Sequence, residues 1–95
     1  MINQVVVVGR IQRIFDDSMI ELRVALTDSD AYVIVPISLS SSLYDNLKRY
    51  CIEEDIIGVK GRLIDKTGHL IVEASKVSFL SRHGEEGGNI NDSSE

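Results

Sequence analysis

Seven side chains in this sequence have the types and spacings that hold an anionic, ring-bearing ligand. Arg10 and Arg13 bracket the end of an apolar run. Lys60 and Arg62 stand two apart, which puts both on one face of a strand. Lys66 and His69 flank a Thr-Gly pair just beyond them, and Tyr32 opens another apolar run. Guanidinium and ammonium groups attract phosphates, and arginine does so as a two-pronged fork. An exposed tyrosine offers a flat face for stacking, and a neutral imidazole stacks or hydrogen-bonds. Each residue also has a plainer use. Arg10 and Arg13 could pair with Asp16, Asp17 or another chain. The Lys60 group could be a solvated face, and Tyr32 could pack across strands. Phe15, at a strand end, is the type of residue that joins a core.

Bond-making chemistry finds few candidates. His69, His83 and Cys51 have no spacing that suits a zinc ion. Ser40-Ser41-Ser42 has no base within sequence reach and is accounted for by helix initiation. No glycine-rich loop follows a strand; Gly84, Gly87 and Gly88 lie in a polar terminal stretch and read as linker. The expectation is a binder and not an enzyme, with no metal and no cofactor.

A chain of 95 residues makes one domain. A domain of that size buries only about 60–65% of its unfolded surface, so self-association would help it. There is no apolar run long enough for a membrane span and no basic-then-apolar leader. Cys51 is the only cysteine. It cannot form an internal disulfide and suits a reducing compartment, so a cytoplasmic protein with a small buried thiol is expected. The net charge is −5, and it is unevenly spread. Residues 1–80 hold nine Lys/Arg against eleven Asp/Glu, and residues 81–95 hold one Arg against four acids. A phosphate-binding face must therefore be a local cluster, because the chain has no basic footprint in bulk.

The elements that would position these residues are mostly strands. Residues 3–15 contain Val5-Val6-Val7-Val8, a run expected to be covered on both faces or shared between the core and a partner subunit. Gly9 marks a bulge or a bend at a barrel corner. Residues 19–27 alternate, with Ile20, Leu22, Val24 and Leu26 on one face. Residues 31–39 place Val33, Val35, Ile37 and Leu39 on one side, with Pro36 at an edge or bulge. A helix of about three turns follows the serines. Ser42 and Asp45 approximate its capping box, Leu43, Leu47, Tyr50 and Cys51 form its apolar stripe, and Lys48 and Arg49 suit its C-terminal dipole. Tyr44, Tyr50 and Phe79 are assigned to structure. Residues 56–65 and 70–80 are two further strands around a hairpin loop, Asp65 to His69.

Three strands, a helix and two strands make an all-β OB-fold: a five-stranded Greek-key barrel whose helix, between strands 3 and 4, plugs one end. The domain spans residues 1–81. Residues 82–95 form a disordered polar, acidic tail.

Four segments then carry a resemblance. Met1 to Arg10, MINQVVVVGR, closely resembles the start of bacterial single-stranded DNA-binding proteins, whose pattern there is M-I-N-x-V-x-L-V-G-R. Leu43 to Tyr50 resembles the family's L-A-E-x-x-x-x-Y helix. Val59 to Leu63 resembles V-E-G-R-L, and Ala74 to Leu80 resembles A-x-x-V-x-F-L. The matches are in register over residues 1–80.

The resemblance implies single-stranded DNA binding with little sequence preference, by a homodimer or homotetramer. That activity would support replication, recombination, repair or mobile-element DNA processing, and replication-complex proteins are possible partners. It places Tyr32 at a base-stacking position. Ser38 stands where another stacking aromatic is common, so that platform is lost. The loops between strands two and three and between strands four and five are short, where the family's are long and basic. Glu53-Glu54 replaces the family's Lys-Gly after the helix. The tail ends without the family's apolar tip, so partner recruitment through it is not carried over. Two other uses of the barrel stay open: a protein-assembly module that has lost DNA binding, and RNA binding by the same face.

Overall fold

The computed structural model describes residues 2–81. Its elements run β1 (Val5–Ile14), β2 (Met19–Ala25), β3 (Tyr32–Ser38), α1 (Ser41–Tyr50), β4 (Ile56–Lys66) and β5 (His69–Ser81). The strands close into a barrel in the order β1-β2-β3-β5-β4. All neighbours are antiparallel except β3 and β5, which meet in parallel only at Ile37↔Val72 and Ser38↔Glu73. This is the expected OB-fold, with the helix between strands 3 and 4. The tail expected at residues 82–95 lies outside the described residues.

Alternation builds the core. Ile11, Ile20, Leu22, Ile37, Ile57, Val59 and Val72 point inward and are fully or almost fully buried. The helix closes the barrel with Tyr44, Leu47 and Cys51. That is a corrected stripe: Tyr44 takes the place assigned to Tyr50, which is exposed, and Leu43 is only half-buried. The Tyr44 hydroxyl donates to the Phe15 carbonyl, tying the helix to the end of β1. Phe15 itself is half-buried at the rim.

The helix cap also differs from the expectation. Ser40 is the N-cap, its Oγ accepting from the Leu43 amide at 3.2 Å. With Ser40 in that role the third helical residue is Leu43, so Ser42 and Asp45 form no capping box. Lys48 and Arg49 do fall in the last turn.

β1 changes partners half-way along its length. Val5 to Arg10 pair with β4, and Arg10 to Ile14 pair with β2, with a bulge between Ile11 and Arg13. Gly9 sits at that corner: a Cβ there would lie 2.5 Å from the Arg23 carbonyl oxygen. The valine run is not covered on both faces. Val5 and Val7 lean on the core, while Val6 and Val8 face outward, 67% and 49% exposed.

The β4–β5 connection is tighter than a five-residue loop. Lys66 and His69 are the last strand pair, and only Thr67 and Gly68 turn the chain, with φ of 51° and 84°. Both central residues at positive φ fit a type I′ hairpin turn, which matches the strands' twist.

Candidate nucleic-acid interface

The outward faces of β1, β2 and β3 meet at the Gly9 corner and form a concave groove. Its lining includes Arg10, Arg23, Asp30, Tyr32, Val8 and Ile56, and its volume is about 490 Å³. Antiparallel register brings the cations together, since Arg10 lies opposite Arg23 on β2. Ala25 lies opposite Tyr32 at the start of β3. The Tyr32 ring is 56% exposed, and the Arg23 guanidinium carbon stands 5.9 Å from its centroid. With one cation over the ring and more than half of the residue exposed, surface remains for a planar group to stack on.

Arg23 was not picked out by the sequence reading, yet it organises this groove. Its Nη2 donates to Glu54 Oε1 at 2.7 Å, and its Nη1 donates to Gln12 Oε1 at 2.7 Å. Hydrogen bonding to Glu54 raises the Arg23 pKa above the ordinary arginine value, so it stays a fixed cation. Arg10 Nη1 donates to the Glu54 carbonyl at 2.9 Å. Both guanidiniums are thus tethered to the single residue Glu54.

A second basic patch lies on the outer face of β4 and β5. Lys60 and Lys76 are direct cross-strand partners, both exposed, and neither makes an ion pair among the described residues. Like charges placed opposite one another destabilise a sheet unless an anion joins them. Lys76 too was missed. A bulge between Lys60 and Gly61 sets its register, and no residue pattern announces that bulge. Arg62 is on the same face but is engaged, its Nε donating to Glu73 Oε1 at 2.8 Å.

The structure therefore divides the seven expected residues. Arg10 and Tyr32 share the groove with Arg23. Lys60 and Arg62 share the β4–β5 face with Lys76. Lys66 and His69 pair at the hairpin tip, away from both. Arg13 lines no part of the groove; the bulge at Gln12 sets it opposite Glu21, with its guanidinium carbon 5.6 Å from the Phe15 ring centroid. Groove and patch are connected along β1 and β4 by the pairs Arg10↔Ile56, Val8↔Gly58 and Val6↔Lys60. Arg10 and Val6 are four steps apart along the strand, about 13 Å at the usual rise.

No protein-family model matches this chain, and no curated protein matches it in sequence. Solved structures do match. The mitochondrial single-stranded DNA-binding protein Rim1 of S. cerevisiae superimposes with a TM-score of 0.72 at 14% identity, over 84% of this chain and 96% of that one. The dimeric N-terminal domain of PriB from Thermoanaerobacter tencongensis gives a TM-score of 0.71 at 20% identity, over 84% and 98%. The small single-stranded DNA-binding protein of Streptomyces coelicolor gives 0.66 at 18% identity, over 83% and 93%. These likenesses establish the fold as theirs.

Proposed function

We propose that this chain binds single-stranded DNA with little sequence preference, as a non-enzymatic cytoplasmic protein serving DNA replication, recombination, repair or mobile-element processing. The observation that carries the reading is the groove where the exposed Tyr32 ring, Arg10 and Arg23 converge. A base stacks on Tyr32, a sequence-tolerant contact worth about 1–3 kcal/mol. Phosphates lie against Arg10 and Arg23 and continue past Val8 to the Lys60–Lys76 pair. Two of the three similar structures described above, Rim1 and the Streptomyces coelicolor protein, are single-stranded DNA-binding proteins, which supports the same reading.

The protein acts as a homodimer or homotetramer. Support comes from β1, which has no β2 partner over residues 5–9, so backbone donors and acceptors there are open to another strand. Val6, Val8 and Leu80 are exposed alongside. Two or more copies would repeat the small basic sites and add them by avidity. The same open edge favours a second reading, an assembly module without DNA affinity.

Fluorescence anisotropy of labelled oligo-dT, at low and near-physiological salt with a duplex control, separates the two. Salt-sensitive preference for the single strand supports DNA binding. No binding at tens of micromolar protein at low salt leaves the assembly reading. Light scattering on Val6→Glu/Val8→Glu should show a lower mass than the parent protein; an unchanged mass removes the β1 interface.

A further inference from the structure

Glu54 is an unusual residue at an unusual place. It lies in the turn between α1 and β4 with a φ of 81°, a conformation that favours glycine. Its backbone is useful whatever the side chain: its amide donates to the Ile11 carbonyl at 2.8 Å and its carbonyl accepts from Arg10. Glycine would make both bonds without the left-handed strain. The glutamate side chain is therefore not required by the turn, and strain of this kind often marks a functional position.

The side chain reaches Arg23. Oε1 lies 2.7 Å from Nη2 and Oε2 lies 3.5 Å from Nη1, so the carboxylate sits across the two prongs of the guanidinium fork. A phosphate takes the same prongs in the same way. The pair is only partly shielded, with side chains 26% and 39% exposed, so water and a competing anion can reach it. Asp30 also lines the groove but makes no ion pair among the described residues. With Glu54 in place, the groove's two arginines are balanced by two carboxylates, and of these two only Glu54 occupies guanidinium donors, holding Nη2 while Nη1 donates chiefly to the neutral Gln12.

We infer that the Glu54 carboxylate occupies the phosphate position on Arg23 and must be displaced before a nucleotide's phosphate can bind there, so that Glu54 sets the affinity of the groove. This rests on the single-stranded DNA reading above. Glu54 weakens binding, and its removal strengthens it.

The test compares the parent protein with Glu54→Gln, Glu54→Gly, Asp30→Asn and Tyr32→Ala in oligo-dT anisotropy across a salt series, with thermal melts of each. Glu54→Gln should tighten binding about two- to fivefold, the range an exposed ion pair commands. It should also steepen the slope of log K against log salt by about 0.7, one added phosphate contact to a single strand. Glu54→Gly should tighten binding likewise, with a Tm at or above the parent's, because it keeps both backbone bonds and sheds the strain. Asp30→Asn removes the same charge without freeing a donor, so its effect should be smaller. Equal effects of Glu54→Gln and Asp30→Asn would reduce the matter to net charge and overturn the inference. Weaker binding by both Glu54 variants would overturn it too, and would make Glu54 a residue that positions Arg23. If the parent binds and Tyr32→Ala weakens it while the Glu54 variants match the parent, the inference alone fails. If neither the parent nor any variant binds, the DNA reading fails with it.

Discussion

The groove at the Gly9 corner and the Lys60–Lys76 face are both basic, but they hold their charge differently. In the groove each guanidinium already has a partner inside the protein: Arg23 on Glu54 and Gln12, Arg10 on the Glu54 carbonyl. On β4 and β5 the two lysines face each other with no ion pair among the described residues. The groove has a ring and fixed geometry with little spare charge; the face has spare charge and no ring. Orientation and stacking should therefore come from the first, and salt-sensitive attraction from the second. A chain with a net charge of −5 can bind a polyanion only if such separated patches outweigh the bulk.

The largest change is expected at the corner itself. Gly9→Ala drives a methyl against the Arg23 backbone, which cannot move as a side chain would. It should cost about 3 kcal/mol of stability, read by thermal or urea unfolding. DNA binding that survives in the folded fraction would have to come from the lysine face. A normal Tm would show that the corner is looser than its geometry.

Tyr32→Ala isolates the ring. It should weaken oligo-dT binding by about 1–3 kcal/mol at every salt concentration, with the salt slope unchanged. A changed slope with unchanged affinity at high salt would reverse the roles assigned to the two regions. Lys60→Ala/Lys76→Ala probes the other side. It should flatten the salt slope by about 1.4, two phosphate contacts to a single strand, and leave affinity at high salt nearly intact. Removing a like-charge pair should also keep or slightly raise Tm. The smallest effect belongs to Arg62→Ala. Its pair with Glu73 is largely exposed, so stability should change by less than about 0.5 kcal/mol and binding by less than about twofold. A larger loss of binding would mean that Arg62 leaves Glu73 for DNA.

Much of the barrel could be read from alternation. Ile20, Leu22, Ile37, Ile57 and Val59 sit where the period of two put them, because a strand with one wet face has little choice. The pattern failed at the ends. Leu26, Val33 and Leu63 share the inward parity but are 40–43% exposed: Leu26 lies past the end of β2, Val33 sits at the start of β3, and Leu63 lies beyond the last β1–β4 pair. The helix was found from its serines, but which serine capped it depended on where β3 released the chain, and that is a tertiary matter. Tyr32 and Arg10 were legible as candidates because exposed rings and strand-end cations stand out in a row of aliphatics. Arg23 was not, because a lone arginine on the polar face of a strand is ordinary. What makes it special is a turn residue thirty-one positions later, held in a backbone state that the letter E does not signal. Lys76 was hidden by a bulge, which shifts every later partner by one.

The thiol that seals the helix to the barrel offers a different kind of access to this molecule. Cys51 is the chain's only cysteine, 6% exposed, and its amide still closes the last turn by donating to the Leu47 carbonyl at 2.8 Å. A thiol reagent in solution cannot reach it fully until the end of the helix lifts. Its labelling rate is therefore a clock for that opening, native to the sequence and needing no engineered probe. Run with and without a bound strand, the clock would report whether occupancy of a site on the outside of the barrel quiets the plug at its base.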